Sequence, residues 1–371
     1  MEDDKLYVDL NGAHNCGLFN QTGEVKAEYQ YEPWIDVAKA VCIGGVVLQH
    51  VRGYVYTNDK IFYSVWFVVA LFVLIGGYNA MASYRRHGYF SLKQKLIGIL
   101  VPYVFATIIY RCYELRFFDA EDILNHLIHF DACGPMYYVA AYVQLLLVTP
   151  FLISLVLWCH EGKYILKYLL VSTSVILVCY ITVHYTNIFD IIIGGGDLFA
   201  GPWLMFWFAG MCVYDLNLLR LCDEYRFSVA IASTAILIAW QWIFVEKEYN
   251  LILKPIFYGD QVGMTWANSF QVIVLLFWFK SVSYIIEDHY KQNRIVKYCL
   301  SFISFLGRHS LYIFMYHILF RSIYISLWGN GAYINKITCL VFIIMTPVLL
   351  EYFIIVCKKV FGNQLPSAQI R

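Results

Sequence analysis

The sequence predicts an all-α polytopic membrane protein with about ten transmembrane helices and both termini in the cytosol. Three observations carry that expectation. Of 371 residues, 60% are hydrophobic and only 14% charged, where soluble domains run at roughly 45–50% and about 25%. Apolar runs recur that are long enough to cross a hydrocarbon core of roughly 30 Å, which takes about 20 residues. Lys and Arg concentrate in alternate connecting loops, with the excess on the side of the N-terminus, as the positive-inside rule requires of an even number of crossings.

The spans are expected near 34–53, 61–82, 96–113, 135–158, 164–184, 201–216, 227–245, 265–285, 304–326 and 335–357. Residues 1–33 are polar, mixed in charge and without periodicity, and read as a cytosolic leader. Residues 34–358 form the transmembrane domain, and 359–371 a cytosolic tail. The first apolar run begins near Trp34 with no small-residue cleavage site behind it, so it is read as a retained helix and not a signal peptide. An aromatic share of 18%, with 31 Tyr and 10 Trp, suits a chain with many interfaces to anchor. A net charge of +1 provides no basic field for nucleic acid. The 11 cysteines are scattered and lack CxxC spacing, which speaks against a disulfide framework and against a zinc site. No internal repeat is apparent, and neither a phosphate-cradling glycine loop nor HExxH nor GxSxG occurs.

The first span holds the most informative pattern. Asp36, Lys39 and His50 interrupt an otherwise apolar helix. At about 100° per residue, the eleven steps from Lys39 to His50 return to within roughly 20° of one direction, and Asp36 lies one turn before Lys39. Each charge facing lipid near the centre costs at least about 2.5 kcal/mol, so this stripe faces protein or a water-filled cavity. An interfacial ion pair of Asp36 with Lys39, and a structural hydrogen bond at His50, remain open as plainer roles. A buried imidazole is also the side chain suited to proton transfer near neutrality.

Six further segments are informative. Ser310 and His317, seven residues apart, share a face of the ninth span. Arg85, Arg86, Lys93 and Lys95 form a cytosolic cluster that either enforces topology or neutralises a phosphorylated ligand. Tyr137 and Tyr138 follow Gly134-Pro135 and serve as an interface belt or a sugar platform. Gly76-Gly77 in the second span marks a kink or a close helix contact. The loop from Glu114 to Gly134 is read as an interfacial amphipathic helix or a substrate contact; its His126 and His129 lack a third ligand, so no metal is expected. Gly194 to Asp197 follows no strand and is read as a flexible outer loop.

Taken together, these segments resemble the acyltransferase family 3 membrane O-acetyltransferases, nearest to a fucose 4-O-acetylase-like branch, over residues 33–357. The family's opening helix reads acidic residue, basic residue, ten residues, His; Asp36, Lys39 and His50 fit it, with Lys39 where many members carry Arg. Gly76-Gly77-Tyr78 is similar to its second-helix kink, with Gly for Ser. Lys93-Gln94-Lys95 through Pro102-Tyr103 is similar to its basic loop, although Gly98 stands where a third basic residue is common. Gly134-Pro135-Met136-Tyr137-Tyr138 resembles its Gly-Pro-aromatic element, and Gly307, Ser310 and His317 its late Gly-x-x-Ser…His element.

The resemblance implies transfer of an acetyl group from cytosolic acetyl-CoA to a sugar hydroxyl on the far side of a bacterial inner membrane. The acceptor would be an exopolysaccharide, capsule or lipopolysaccharide sugar, or its lipid-linked precursor. On that reading Lys39, Lys93, Lys95, Arg85 and Arg86 hold the CoA phosphates, His50 is the general base, and Asp36 fixes Lys39. His317 and Ser310 shape the site, Tyr137 and Tyr138 meet the sugar, and membrane lipids are the other partner. A transporter or flippase of a lipid-linked glycan would use the same stripe as a pathway, but the chain lacks the inverted repeat common in such proteins.

Overall fold

The computed structural model describes residues 32–160, 164–184, 198–246, 266–290, 292–329 and 333–362. The expected leader up to residue 31, the glycine loop 194–197 and the tail beyond residue 362 lie outside the described residues. The fold is all-α, with no strand among the described residues. In chain order the helices are α1 (Pro33–His50), α2 (Asp59–Ser64), α3 (Val68–His87), α4 (Leu92–Leu115), α5 (Ala120–His129), α6 (Tyr137–Cys159), α7 (Tyr164–His184), α8 (Leu204–Asp215), α9 (Arg220–Glu224), α10 (Arg226–Gln241), α11 (Trp266–Tyr290), α12 (Arg294–Arg308), α13 (Ser310–Trp328) and α14 (Tyr333–Gly362).

Seven of these segments are long and apolar enough to cross a membrane: Asp59–His87, Leu92–Leu115, Gly134–Cys159, Ile165–Thr182, Ser269–Tyr290, Ser310–Trp328 and Asn335–Val356. The other three expected spans correspond to α1, α8 and α10, which are shorter or more polar. For α1 the physical reason is plain. Its face carrying Trp34, Asp36, Ala38, Cys42, Ile43, Val46 and Val47 is buried, packed against α3, α11, α12 and α13. A helix wrapped by protein does not need the hydropathy of one wrapped by lipid. Elsewhere the outer surface is apolar: Phe105, Phe151, Leu169, Ile231, Leu349 and Phe353 are all more than half exposed, which suits acyl chains and not water.

Without a hydrophobic drive between helices in lipid, association depends on close backbone approach and buried polar bonds. Both occur at α3 and α8. A Cβ placed on Gly77 would come within 1.9 Å of the Trp207 carbonyl oxygen, and one on Gly210 within 2.0 Å of the Leu74 carbonyl oxygen. Gly76 lies under the Trp207 ring. The Gly76-Gly77 pair is therefore a close helix contact. Trp207 Nε1 in turn donates to Thr149 Oγ1 at 3.0 Å, which ties α8 to α6.

Two boundaries differ from expectation. The ninth span does not run from 304: an amphipathic helix, α12, ends at Arg308, the chain breaks at His309, and α13 begins at Ser310. Tyr298, Phe302 and Ile295 on α12 are exposed, as on a helix lying along a bilayer surface. The apolar residues of α12 recur with helical period, so two charges at Arg294 and Lys297 concealed an amphipathic helix whose C-terminal end packs against α1. The loop after α4 does contain the expected amphipathic helix, α5, capped by Asp119 accepting from the Glu121 and Asp122 amides. Arg111 Nε donates to Asp122 Oδ2 at 2.6 Å and fastens α5 to α4. His126 and His129 do not converge: Nδ1 of His126 faces Asp131 at 2.5 Å and Nδ1 of His129 faces the Asn125 carbonyl at 2.8 Å.

Because Gly77 abuts backbone and not a movable side chain, Gly77→Ala is expected to destabilise the bundle by about 1–3 kcal/mol. Gly98→Ala, which meets nothing within 4 Å, is expected to leave stability unchanged. Thermal midpoints of the two variants in detergent check this.

Candidate functional site

The polar stripe of α1 organises two adjoining cavities. Its N-terminal third is held by a backbone contact: a Cβ on Gly307 would fall 1.8 Å from the Asp36 carbonyl oxygen, so α12 reaches α1 only because residue 307 has no side chain. Asp36 is 5% exposed. Its carboxylate accepts from Lys39 Nζ at 3.4 Å, and Arg308 lies 3.9 Å from its other oxygen. Asp36 thus sets the direction of Lys39, as the one-turn spacing predicts.

The first cavity, about 670 Å³, is lined by Lys39, Arg86, Lys95 and Lys280 together with Glu32, Asp36, Glu287, Asn79, Asn217, Tyr78, Tyr214 and Tyr284. Four cations meet there from four different helices, while Tyr78 donates to Glu32 Oε2 at 2.9 Å. The second cavity, about 410 Å³, shares Lys39, Asn79 and Lys95 with the first and runs inward along Gly76, Gly98, Tyr138, Tyr142, Trp207, Ser310 and Phe314. Its lining is more apolar than that of the first, although Arg308 also borders it. The pair forms one passage, cationic at its mouth and aromatic at its end.

Beyond that end stand the two histidines. The rings of His50 and His317 lie 5.1 Å apart, centroid to centroid, although 266 residues of chain separate them in sequence. His317 is 1% exposed, and its Nδ1 lies 2.7 Å from the Phe314 carbonyl oxygen. A carbonyl only accepts, so Nδ1 carries the hydrogen and Nε2 is left as a lone pair; Nε2 is buried without a hydrogen-bond partner among the described residues. The passage stops one aromatic layer short of this pair. Tyr138 and Phe314, 5.3 Å apart, close it, and Phe314 is 6.1 Å from the His317 ring. The water-accessible seam expected from Lys39 to His50 is therefore interrupted at these two rings.

The sequence-predicted residues separate accordingly. Asp36, Lys39, Arg86, Lys95, Ser310 and Tyr138 line the passage; His50 and His317 meet behind it. Three others do not join them. Arg85 turns away to Asp215, whose carboxylate also takes Tyr168 OH at 2.6 Å and His160 at 2.5 Å; adjacent positions on a helix point about 100° apart, so the Arg85-Arg86 doublet divides between two sites. Lys93 borders an apolar groove with Leu96, Leu100 and Phe105 for the same reason relative to Lys95. Tyr137 does not reach the passage.

Two residues were missed. Lys280 forms the buried floor of the cationic cavity, 5% exposed and 3.4 Å from Asp223 and 3.9 Å from Glu32. Its signal in the sequence is a lone cation inside the expected span 265–285, ending the apolar run Val272 to Phe279. Arg321, inside the expected span 304–326, donates from Nη1 to the His50 carbonyl oxygen at 2.5 Å. It lies four residues after His317, so one turn of α13 carries both.

A buried lone-pair nitrogen set behind the passage can deprotonate a hydroxyl, and the four cations at the mouth can hold the polyanionic end of a long ligand. No curated protein and no solved structure matches the chain. A family model described as an acyltransferase domain, that of acyltransferase family 3, matches residues 32–357. The match takes in every residue of the passage and of the imidazole pair, and the chain belongs to that acyltransferase family.

Proposed function

We propose that this membrane acyltransferase moves an acetyl group from cytosolic acetyl-CoA to a hydroxyl of a cell-surface glycan or its lipid-linked precursor. The chain would sit in a bacterial inner membrane, crossing it ten times with both termini and the cationic mouth on the cytosolic side. The observation that supports this reading most is the meeting of His50 and His317, rings 5.1 Å apart, one aromatic layer behind the blind end of a passage that begins in cations.

Lys39, Arg86, Lys95 and Lys280 hold phosphates at the mouth, where several ammonium and guanidinium groups neutralise them jointly. Asp36 keeps Lys39 in that position. The axial rise from Lys39 to His50 is about 16 Å, a distance suited to a pantetheine arm threaded past Ser310 and Tyr142. Tyr138 and Phe314 swing aside to admit the thioester and otherwise keep water from it. At the imidazoles the acceptor oxygen adds to the thioester carbonyl carbon as its proton passes to a histidine. The adduct then reforms the carbonyl, the carbon–sulfur bond breaks, and the departing sulfur takes the proton back. His317, with its tautomer set, is ready as that base, and His50 faces the same space from α1. Tyr138 also offers a ring for a sugar to stack on.

Two measurements test this. Purified protein in liposomes given labelled acetyl-CoA on the cationic side is expected to label an acceptor glycan. His50→Ala and His317→Ala are each expected to lower the rate roughly 10²–10⁴-fold, the usual contribution of a general base. Glycan crossing the bilayer without acquiring label would instead identify a flippase. The neighbouring arginines provide a second test. Arg86→Ala is expected to raise KM for acetyl-CoA about tenfold, near 1.4 kcal/mol, with the thermal midpoint unchanged. Arg85→Ala is expected to leave KM alone and to lower stability by about 1–3 kcal/mol, because it strips a donor from the buried Asp215 carboxylate. Equal effects of the two variants on KM would contradict the division between them.

A further inference from the structure

Arg321 falls inside the expected ninth span, and in the structure it lies within α13, part-buried. Its Nη1 donates to the carbonyl of His50, the last residue of α1. The final carbonyls of a helix have no intrahelical partner, so this bond by itself is a helix cap. Its guanidinium carbon also stands 5.3 Å from the centre of the Tyr54 ring, an ordinary cation–π distance. Neither contact occupies Nε. That N–H is sealed from solvent and has no acceptor among the described residues, and no carboxylate there pairs with the side chain.

A part-buried cation in a membrane protein, with one N–H sealed from water and no counter-ion among the described residues, is expected to serve a site. One turn earlier on the same helix face is a second buried side-chain atom of α13 without a partner among the described residues, Nε2 of His317. One of the two offers a hydrogen and a positive charge; the other offers a lone pair. Leu319, between them, is pinned by its amide donating to Tyr110 OH at 2.8 Å, which fixes this turn of α13 against α4. The same guanidinium is tied to the backbone of His50, so it is held to both histidine-bearing helices at once.

We propose that Arg321 is the oxyanion-stabilising residue of the acyl transfer, donating from Nε to the carbonyl oxygen of the reacting thioester. This inference rests on the acetyl-transfer reading above. As the acceptor oxygen bonds to the carbonyl carbon, the carbonyl π pair moves onto its oxygen and the hydroxyl proton moves to His317 Nε2. Arg321 meets the negative charge at the oxygen while His317 acquires the positive one. When the carbonyl reforms, the carbon–sulfur bond breaks and the sulfur leaves with the proton from His317, so atoms and charge balance. The oxygen carries full charge only in the adduct, so Arg321 acts on the rate and not on ground-state binding.

The test is release of free thiol from acetyl-CoA by the full chain in proteoliposomes supplied with a methyl glycoside as acceptor. Arg321→Ala is expected to lower kcat roughly 10²–10³-fold with both KM values within about threefold of wild type, and added guanidinium ion is expected to restore part of the loss. Arg321→Lys keeps a charge and a donor for the His50 carbonyl but has no Nε. It is expected to hold the wild-type thermal midpoint and still lose kcat, and it carries the test if Arg321→Ala fails to fold. A kcat within about threefold of wild type in Arg321→Lys, or a loss confined to KM for the glycoside, would overturn the proposal while leaving the acetyl-transfer reading intact. Wild-type protein that releases no thiol with any acceptor would remove that reading and this inference with it.

Discussion

The constraint on which the rest of this structure depends is that α1 carries Asp36, Lys39 and His50 through a low-dielectric environment and must be enclosed by other helices. Isolated in lipid, such a stripe would be expelled or drawn to the interface. Enclosure is achieved by removing side chains where backbones meet. Gly307 lets α12 lie against the Asp36 carbonyl, and Gly45 lets α3 approach α1, since a Cβ there would strike Val68. Gly76, Gly77 and Gly210 repeat the device between α3 and α8. With hydrocarbon on the outside, hydrophobic burial cannot supply this cohesion, so close approach and buried polar bonds must.

Enclosure also determines where chemistry can happen. The four cations at the mouth come from α1, α3, α4 and α11, so no local sequence motif contains them. The carboxylates among them keep the cavity from being a bare positive well: Glu32 takes Tyr78 and lies near Lys280, and Asp36 takes Lys39. Paired in this way, the cations hold fixed positions at less desolvation penalty than unpaired ones would. Further in, polarity drops away until Tyr138 and Phe314, and then two imidazoles and a guanidinium appear in a small volume. Water excluded from that volume would strengthen every charge interaction within it.

Much of this was legible in the sequence, for identifiable reasons. Helical periodicity is rigid, so the eleven-residue step from Lys39 to His50 and the seven-residue step from Ser310 to His317 correctly placed each pair along one helix. The glycine pair at 76–77 was legible because few other causes place two glycines inside an apolar run. Contacts between helices were not. That His50 meets His317, and that Lys280 completes the cavity, depends on packing that no single run of residues records. Adjacent charges misled for a simple geometric reason: Arg85 and Arg86, or Lys93 and Lys95, point in different directions on a helix. The break at His309 was hidden because α12 is apolar on one face and adjoins a true span. His309 itself is held by Glu351 at 2.6 Å, a partner 42 residues away.

The central claim is that the cationic mouth and the imidazole pair are two ends of one passage, with Tyr138 and Phe314 as a movable layer between them. The most direct test is a structure of the protein with acetyl-CoA bound. The account predicts the phosphates among Lys39, Arg86, Lys95 and Lys280, with those two aromatic rings displaced. The thioester should lie between His50 and His317. A bound molecule whose sulfur stays on the mouth side of undisplaced Tyr138 and Phe314 would contradict it.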